Sequence, residues 1–344
     1  MDVMSCGANT DRARGLVAVV LLNWNGWRDT IECLESLFAE GATPCRVLVC
    51  DNASRDESLA QLRAWGQQRF GAQCRSLTRA EAEAGGQLGP DLRLALIENG
   101  ANLGFAAGNN VGIRLALRDP ACQHVWVLNN DTVVQPDALQ LALDRMAAHP
   151  EIGLCGSTLL YFDEPQMVQA FGGAIYSRWS GRSRHVGAFK TLADVPANGS
   201  ALELQFSYVV GAAMLASRAF LERVGLMRED YFLYCEEIDW ATRGAAAGFK
   251  LGYAPASLVF HKEGASIGTA ASGGSPLSLY YLFRNRLRFT WWFHRLFMPT
   301  VLCWCLLDVA KLLLRRRWPQ ARAALRGLLQ LPRPAAVAPA ARSA

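Results

Sequence analysis

Apolar runs and helix-spaced stretches alternate between residues 16 and 148. Residues 16–22 form an unbroken apolar run that stops at Asn23-Trp24-Asn25-Gly26, and residues 30–39 then place Ile31, Leu34, Leu37 and Phe38 at helical spacing. A second apolar run, 46–50, ends at Asp51-Asn52-Ala53-Ser54, and 59–65 returns to a helical pattern. Residues 94–97 predict a third strand, 109–117 a helix, 124–128 a fourth strand and 136–148 another helix. Short apolar runs between helices predict βαβ units, so an α/β fold with a Rossmann-like, mostly parallel sheet flanked by helices. Right-handed crossovers then bring the polar strand ends to one edge.

The remainder is less regular. Residues 66–93, rich in Gly, Gln, Glu and Ala, read as a surface insertion, and 153–210 as short strands among glycines and aromatics. Residues 1–14 are polar and lack an apolar h-region, so a flexible N-terminus without a secretory signal is expected. Residues 332–344 form a Pro/Ala tail expected to be disordered. Ten cysteines lie scattered without paired or zinc-type spacing, which fits reduced thiols in a cytoplasmic setting.

The net charge of +5 is unevenly spread. Residues 281–344 hold twelve Lys/Arg against one acid, Asp308, a net of +11 that leaves −6 on residues 1–280. A basic, apolar C-terminal segment on an acidic body points to a membrane surface, and the body has no basic stripe for nucleic acid.

Four strand ends carry polar clusters: Asn23/Asn25, Asp51/Asn52/Ser54, Asn99/Asn102 and Asn129/Asn130/Asp131. Any one alone is an ordinary Asx turn. Together they fall where open α/β sheets bind ligands, outside the carboxyl ends of the strands. Asp131 suits Mg²⁺ or Mn²⁺ shared with a diphosphate, because Mg²⁺ keeps waters and takes one or two protein carboxylates. Asp51 can accept the N3–H of a uracil or thymine ring. The loop 102–110, with Gly104 and Asn109, enters a helix, where glycines admit a ligand to the backbone and the helix N-terminus favours anions. It is neither a Walker loop nor a dinucleotide fingerprint.

Glu236, Glu237 and Asp239 place three carboxylates in four residues of an aromatic stretch. As an acidic first helical turn they gain about 0.3–1 kcal/mol each from the macrodipole, and Asp239 can pair with Arg243. The functional alternative is a general base in an aromatic-walled cleft, with its pKa raised by burial and neighbouring acids. His261 follows an apolar run and is either a packed core residue or a second ligand beside Asp131. Tyr231, Tyr234, Trp240 and Trp179 are candidates to wall a ligand cleft, although each alone is an ordinary core residue.

These segments together resemble the family 2 inverting glycosyltransferases of GT-A fold, in their rhamnosyltransferase-like branch. The resemblance covers roughly residues 15–290 and rests on VVLLNWNG (19–26), VLVCDNASRD (47–56), ENGANLGFAAGNN (98–110), VWVLNNDTVVQPDAL (125–139), GAAMLASRAFLERVGLM (211–227), YFLYCEEIDWATRGAAAGFKLGY (231–253), FHKEGAS (260–266) and SPLSLYYLFRNRL (275–287), in family order. It implies that Asp51 holds the pyrimidine of a nucleotide sugar, with Asn23, Asn25, Asn52, Asn102, Gly104, Asn109, Asn129 and Asn130 around the donor. It implies Asp131 at the last position of the metal-binding Asp-X-Asp, with Asn129 at the first, and His261 completing the Mg²⁺ or Mn²⁺ site. Glu237 falls where the family has the Asp of its Glu-Asp catalytic pair, one methylene longer, with Glu236 before it. Asp239 matches an acidic position expected to contact sugar hydroxyls. Arg284 and Asn285 belong to a family signature with no role evident from the residues alone.

The resulting domain expectation is a glycosyltransferase domain over 15–280, split into a nucleotide-sugar half (15–150) and an acceptor half (151–280). A helical segment over 281–331 follows. There Arg284, Arg288 and Arg295 are expected on one helix face, and 296–307 is uncharged. That segment reads as a monotopic, interfacial helix on the inner face of the cytoplasmic membrane, with a buried amphipathic helix as the alternative. The expected partners are a dTDP- or UDP-sugar donor and a glycan or lipid-linked acceptor, with rhamnose the donor sugar the resemblance favours. The competing functions are a sugar nucleotidyltransferase, for which residues 23–28 supply only one basic group, Arg28, and a non-catalytic glycan-binding or scaffold protein.

Overall fold

The computed structural model of the protein describes residues 16–86, 88–262 and 274–331. The N-terminus 1–14, the tail 332–344 and the end of the FHKEGAS segment lie outside them.

The sheet is built outward from β1 (Leu16–Asn23), which runs parallel to β2 (Arg46–Asp51) and to β5 (Cys122–Asn129). Beyond β2 come β4 (Leu94–Glu98) and the edge strand β3 (Cys74–Thr78), both parallel. On the other side β12 (Ala213–Ser217) lies antiparallel to β5 and to β7 (Ile152–Tyr161). Next is β13 (Lys250–His261), parallel to β7, and then β6 (Thr132–Val134), antiparallel to β13. With β8 (Val168–Phe171) paired to β7, the described residues form one ten-stranded sheet. A separate small sheet joins β9 (Gly173–Ser177), β10 (Arg182–His185) and β11 (Tyr208–Val209).

Alternation along β1 and β2 explains why both faces are covered. Val17, Val19, Leu21, Val47 and Val49 face one layer, with α1 (Trp27–Leu37), α2 (Ser58–Phe70) and α5 (Ala138–Ala148). Ala18, Val20, Leu48 and Cys50 face the other, with α4 (Gly104–Leu117), α7 (Arg218–Val224) and α8 (Glu236–Ala246). A strand buried on both faces reads as a continuous apolar run, which is why these strands were visible in the sequence.

The expected surface insertion at 66–93 is instead partly ordered structure. It supplies β3 and α3 (Arg79–Glu83), the latter closed by a capping box between Thr78 and Glu81. In β3 only Leu77 is buried, so an edge strand carried no apolar run to announce it. Within 153–210, besides the small sheet and α6 (Ser200–Glu203), lie β8 and all of β7 after Ile152, with Tyr161 the one residue of β7 that is not buried.

By density of internal packing the chain divides into two units. Among the described residues the first runs to Tyr176 and includes Ser183–Phe232 and everything from Glu236 through β13. The second holds Ser177–Arg182, Leu233–Cys235 and the C-terminal helices α9 (Pro276–Phe293), α10 (Met298–Leu314) and α11 (Trp318–Leu328). Phe283, Leu287, Val301, Cys305, Val309 and Ala324 form the core of those helices. Arg286 of α9 bonds the Ser180 carbonyl (2.9 Å) and pairs with Asp308 of α10 (3.0 Å). The expected basic face of Arg284, Arg288 and Arg295 does not form, because α9 stops at Phe293 and Arg295 lies in the following 3-10 turn.

Gly108 and Gly112 let α4 lie close on the sheet. A Cβ on Gly108 would stand 2.5 Å from Leu22 Cδ1 and 2.8 Å from Asn52 Oδ1, and one on Gly112 2.8 Å from Val20. Gly108→Val should therefore destabilise the protein by about 1–3 kcal/mol through overpacking, measured as a lowered midpoint in urea.

Candidate active site

Register puts the strand ends on one edge, as the sequence predicted. Asn23 is the partner of Asp51, Asp51 of Glu98, and Asn129 of Leu22. What most of the amides do there is structural. The buried Asn23 donates to Asp51 Oδ1 (2.7 Å) and Ser54 Oγ (3.1 Å) and accepts from Thr30 (2.9 Å). Asp51 also accepts the Ser54 hydroxyl (2.6 Å) and N–H (2.9 Å). Asn52 accepts from Asn99 (2.9 Å) and donates to the Gly104 carbonyl (3.0 Å). Asn130 donates to Thr30 (2.9 Å), and Asn109 to the Phe105 carbonyl (3.0 Å) one helical turn back. Loop backbone and polar groups must be satisfied once the ladder ends, and these side chains do it.

Gly104 therefore offers no backbone group to a ligand. Its N–H takes Asn102 Oδ1 (3.1 Å), its carbonyl takes Asn52, and its open side is filled by Phe232. A Cβ there would lie 2.3 Å from the Phe232 carbonyl, and φ is +82°. Asn25 and Asn102 are exposed, with Asn25 bonding the Arg55 N–H (2.7 Å).

Asp131 and His261 meet because β13 ends beside β6. His261 is paired with Thr132 and Tyr161, and the Lys262 N–H donates to the Asp131 carbonyl (3.0 Å). His261 Nε2 then lies 3.2 Å from Asp131 Oδ1 and 3.3 Å from Asn129 Nδ2. Its Nδ1 is 2.9 Å from Gln169 Oε1 on β8. With that carbonyl as acceptor, Nδ1 carries the proton and the Nε2 lone pair is turned towards the carboxylate. Two acceptors at this separation call for a cation, either a proton on Nε2 or a metal shared between them. Burial by itself would raise the Asp131 carboxyl, but the hydrogen bond and charge of His261, with Lys262, hold it below the ordinary aspartate range. One carboxylate oxygen and one imidazole oriented from behind suit Mg²⁺ or Mn²⁺, which complete their shell with water and phosphate oxygens. Among the described residues no cluster of three or more His, Cys, Asp or Glu forms a closed cage. Gln169 was missed in the sequence, where the only signal was a polar residue inside an apolar strand.

Glu237 is in the first turn of α8, and its Oε1 occupies the space where a Cβ of residue 211 would be (2.3 Å), so Gly211 makes room for it. The next residue, Ala212, accepts the Asn129 N–H (3.0 Å). The glutamate therefore stands at the same sheet edge as Asp131. No Lys or Arg pairs with it among the described residues, and burial pushes its carboxyl above the ordinary range. Glu236, beside it, is buried.

Asp239 is not placed to touch a sugar. It is fully buried, with Oδ1 on Arg243 (2.6 Å) and Oδ2 on the Tyr231 hydroxyl (3.0 Å) and Arg228 (3.3 Å). Arg243 in turn donates to the Val224 (2.8 Å) and Leu226 (2.9 Å) carbonyls, so this acid braces α8. Tyr231 and Trp240 are equally buried and cannot stack on a ligand, whereas Trp179 is 61% exposed. The segment before α8 is strained. Phe232 (φ +67°), Tyr234 (φ +68°) and Cys235 (φ +75°) all adopt left-handed backbone, which for residues other than glycine costs about 1–3 kcal/mol each.

Residues 18–168 match the sequence model of glycosyl transferase family 2. That stretch, somewhat under half of the chain, is similar to the family 2 glycosyltransferases. Two curated relatives agree. A low-salt glycan biosynthesis hexosyltransferase, Agl10 of Haloferax volcanii, is 23% identical over 55% of this chain, a match that spans 58% of the relative. An N-acetylglucosaminyl-diphospho-decaprenol L-rhamnosyltransferase of Mycobacterium tuberculosis is 24% identical over 75% of this chain and 80% of its own length. Among solved structures, GalNAc-T7 with UDP, GalNAc and Mn²⁺ superposes with a TM-score of 0.55 at 16% identity, covering 78% of this chain and 47% of that one. The mannosyltransferase PcManGT of Pyrobaculum calidifontis, with GDP-Man and Mn²⁺, gives 0.51 at 16% identity over 92% and 87%. At these identities the structures establish the GT-A fold, in agreement with the sequence expectation.

Gln169→Leu keeps the buried bulk beside His261 and removes the acceptor. It should weaken Mn²⁺ binding about 10–100-fold, measured by calorimetry. An unchanged affinity would remove His261 from the ligand set.

Proposed function

We propose that the chain is a metal-dependent, inverting glycosyltransferase that moves a hexose from a nucleoside-diphosphate sugar to a lipid-linked glycan acceptor. The donor favoured is deoxythymidine-diphosphate rhamnose, in keeping with the mycobacterial relative's name. The observation that carries this is the Asp131–His261 pair and the Glu237 carboxylate seated against Gly211, along one sheet edge. Asp131 and His261 would hold Mg²⁺ or Mn²⁺, which when bound neutralises the leaving diphosphate. Asp51 would accept the pyrimidine N3–H. Glu237 would take the acceptor hydroxyl proton as that oxygen attacks the anomeric carbon from the face opposite the diphosphate, in one displacement with no covalent enzyme intermediate. Glu237 is one methylene longer than the aspartate expected there, and the missing side chain at Gly211 accommodates it.

A base works only when deprotonated, so the rate should fall as pH drops through the raised Glu237 pKa. The acid limb of kcat/KM should lie above the ordinary glutamate value of about 4.3. Glu237→Gln should cost about 10²–10⁴ in kcat and abolish that limb, measured with a panel of nucleotide sugars. Near-normal turnover in this variant would remove Glu237 as the base.

The C-terminal helices supply the membrane contact in this proposal. Arg295–Leu314 is long and apolar enough to cross a bilayer by length and composition, with only 17% of it buried. Yet one side of α10 is used up: Val301, Cys305 and Val309 are in the helical core and Asp308 is paired with Arg286. Its other side exposes Leu302, Trp304, Leu306, Leu307 and Leu314, with Arg315, Arg316 and Arg317 following. A helix packed on one side and apolar on the other, ending in basic residues, suits lying in an anionic interface. The protein should float with phosphatidylglycerol vesicles and far less with phosphatidylcholine. Leu306→Glu with Leu307→Glu should release it, and persistence of the double variant on vesicles would refute the contact.

A further inference from the structure

We propose that Asn285 is a positioning residue for Glu237, acting through the backbone of Leu233 and Tyr234; the inference rests on Glu237 being the base. Asn285 lies in α9 and is fully buried. Its Nδ2 is 2.7 Å from the Leu233 carbonyl and 3.2 Å from the Tyr234 carbonyl. Carbonyl oxygens only accept, so the amide nitrogen must face them, and its two N–H groups match the two acceptors.

Those carbonyls belong to the strained segment that leads into α8. Phe232 has φ +67° and ψ −45°, close to the rarer and less stable form of γ-turn, and Tyr234 and Cys235 remain left-handed. Side chains with a Cβ keep such conformations only where the surroundings hold them. One end is held by the Phe105 N–H on the Phe232 carbonyl (2.8 Å), and the middle by Asn285. Cys235 then passes directly to Glu236 and Glu237. The peptide planes before a helix set the direction of its first-turn side chains. Without the amide, Tyr234 and Cys235 can relax to right-handed backbone and turn the Glu237 carboxylate off Gly211.

The body of α8 has anchors of its own. Arg243 joins Asp239 to the Val224 and Leu226 carbonyls, and Trp240 Nε1 donates to the Gly225 carbonyl (2.8 Å). Loss of Asn285 should thus move the first turn without unfolding the helix. A shift of about 1 Å at a reacting group can cost about a hundredfold in rate.

The test uses the full-length enzyme with Asn285→Asp, which keeps the shape but replaces the donor by an acceptor, and Asn285→Ser, which keeps one donor. Asn285→Asp should lower kcat about ten- to hundredfold with donor KM within about twofold, and Asn285→Ser should fall between it and wild type. Added to Glu237→Gln, Asn285→Asp should cause no further loss, because both act on one group. Multiplied losses in the double variant, wild-type kcat in Asn285→Asp, or a kcat loss that merely follows a collapsed melting temperature in both variants would each overturn the positioning role. Near-normal turnover of Glu237→Gln alone would overturn the base and this inference together, and is read with Asn285 intact.

Discussion

The hydrogen bond from the Asn129 N–H to the Ala212 carbonyl closes β5 against the approach to β12, and the site depends on it. On one side of the bond the chain runs through Asn130 to Asp131. On the other it runs back one residue to Gly211, under the Glu237 carboxylate. A rigid sheet edge therefore fixes the separation between the proposed metal ligand and the proposed base. Sites built on strands keep tighter geometry than sites carried on loops alone. The antiparallel insertion of β12 between parallel strands is what makes this possible, because it brings a chain into the edge from the opposite direction.

The same edge shows a division of labour among polar side chains. Strand ends leave loop backbone to be satisfied, and buried amides left unsatisfied are costly. Asn23, Asn52, Asn99 and Asn130 bond one another's loops, with Thr30 and Ser54 as shared partners. That network stiffens the edge. Asp131, the His261 Nε2 atom and Glu237 stand outside it. A row of asparagines that looked like a ligand-binding surface is mostly the frame that holds one.

This distinction marks how far the sequence could be read. The positions of the first strands and the alignment of their polar ends were legible, because buried parallel strands leave strong local signals, and Asp131, His261 and Glu237 could be singled out as candidates because ionisable residues beside apolar runs stand out. The partners of those residues were not. Gln169 is one polar residue in a short strand, and Gly211 is a glycine among small residues; their roles exist only once β8, β12 and α8 come together. Edge strand β3 and the break between α9 and α10 escaped for the opposite reason, weak periodicity where solvent covers one side.

Two acids of one helix show how period and packing separate chemistry from support. Glu237 and Asp239 are two residues apart, so at 3.6 residues per turn they point about 200° apart and cannot serve one ligand together. The side carrying Asp239 meets Arg243, Arg228 and the Tyr231 hydroxyl, and the carboxylate is neutralised there. The side carrying Glu237 meets the bare backbone of Gly211, where burial opposes ionisation and no cation among the described residues offsets it. An acid held in that state takes up a proton readily, as the proposed base must. The ion pair on the far side keeps the helix in place while it does so, so the strained turn before α8 governs where Glu237 points rather than whether α8 forms.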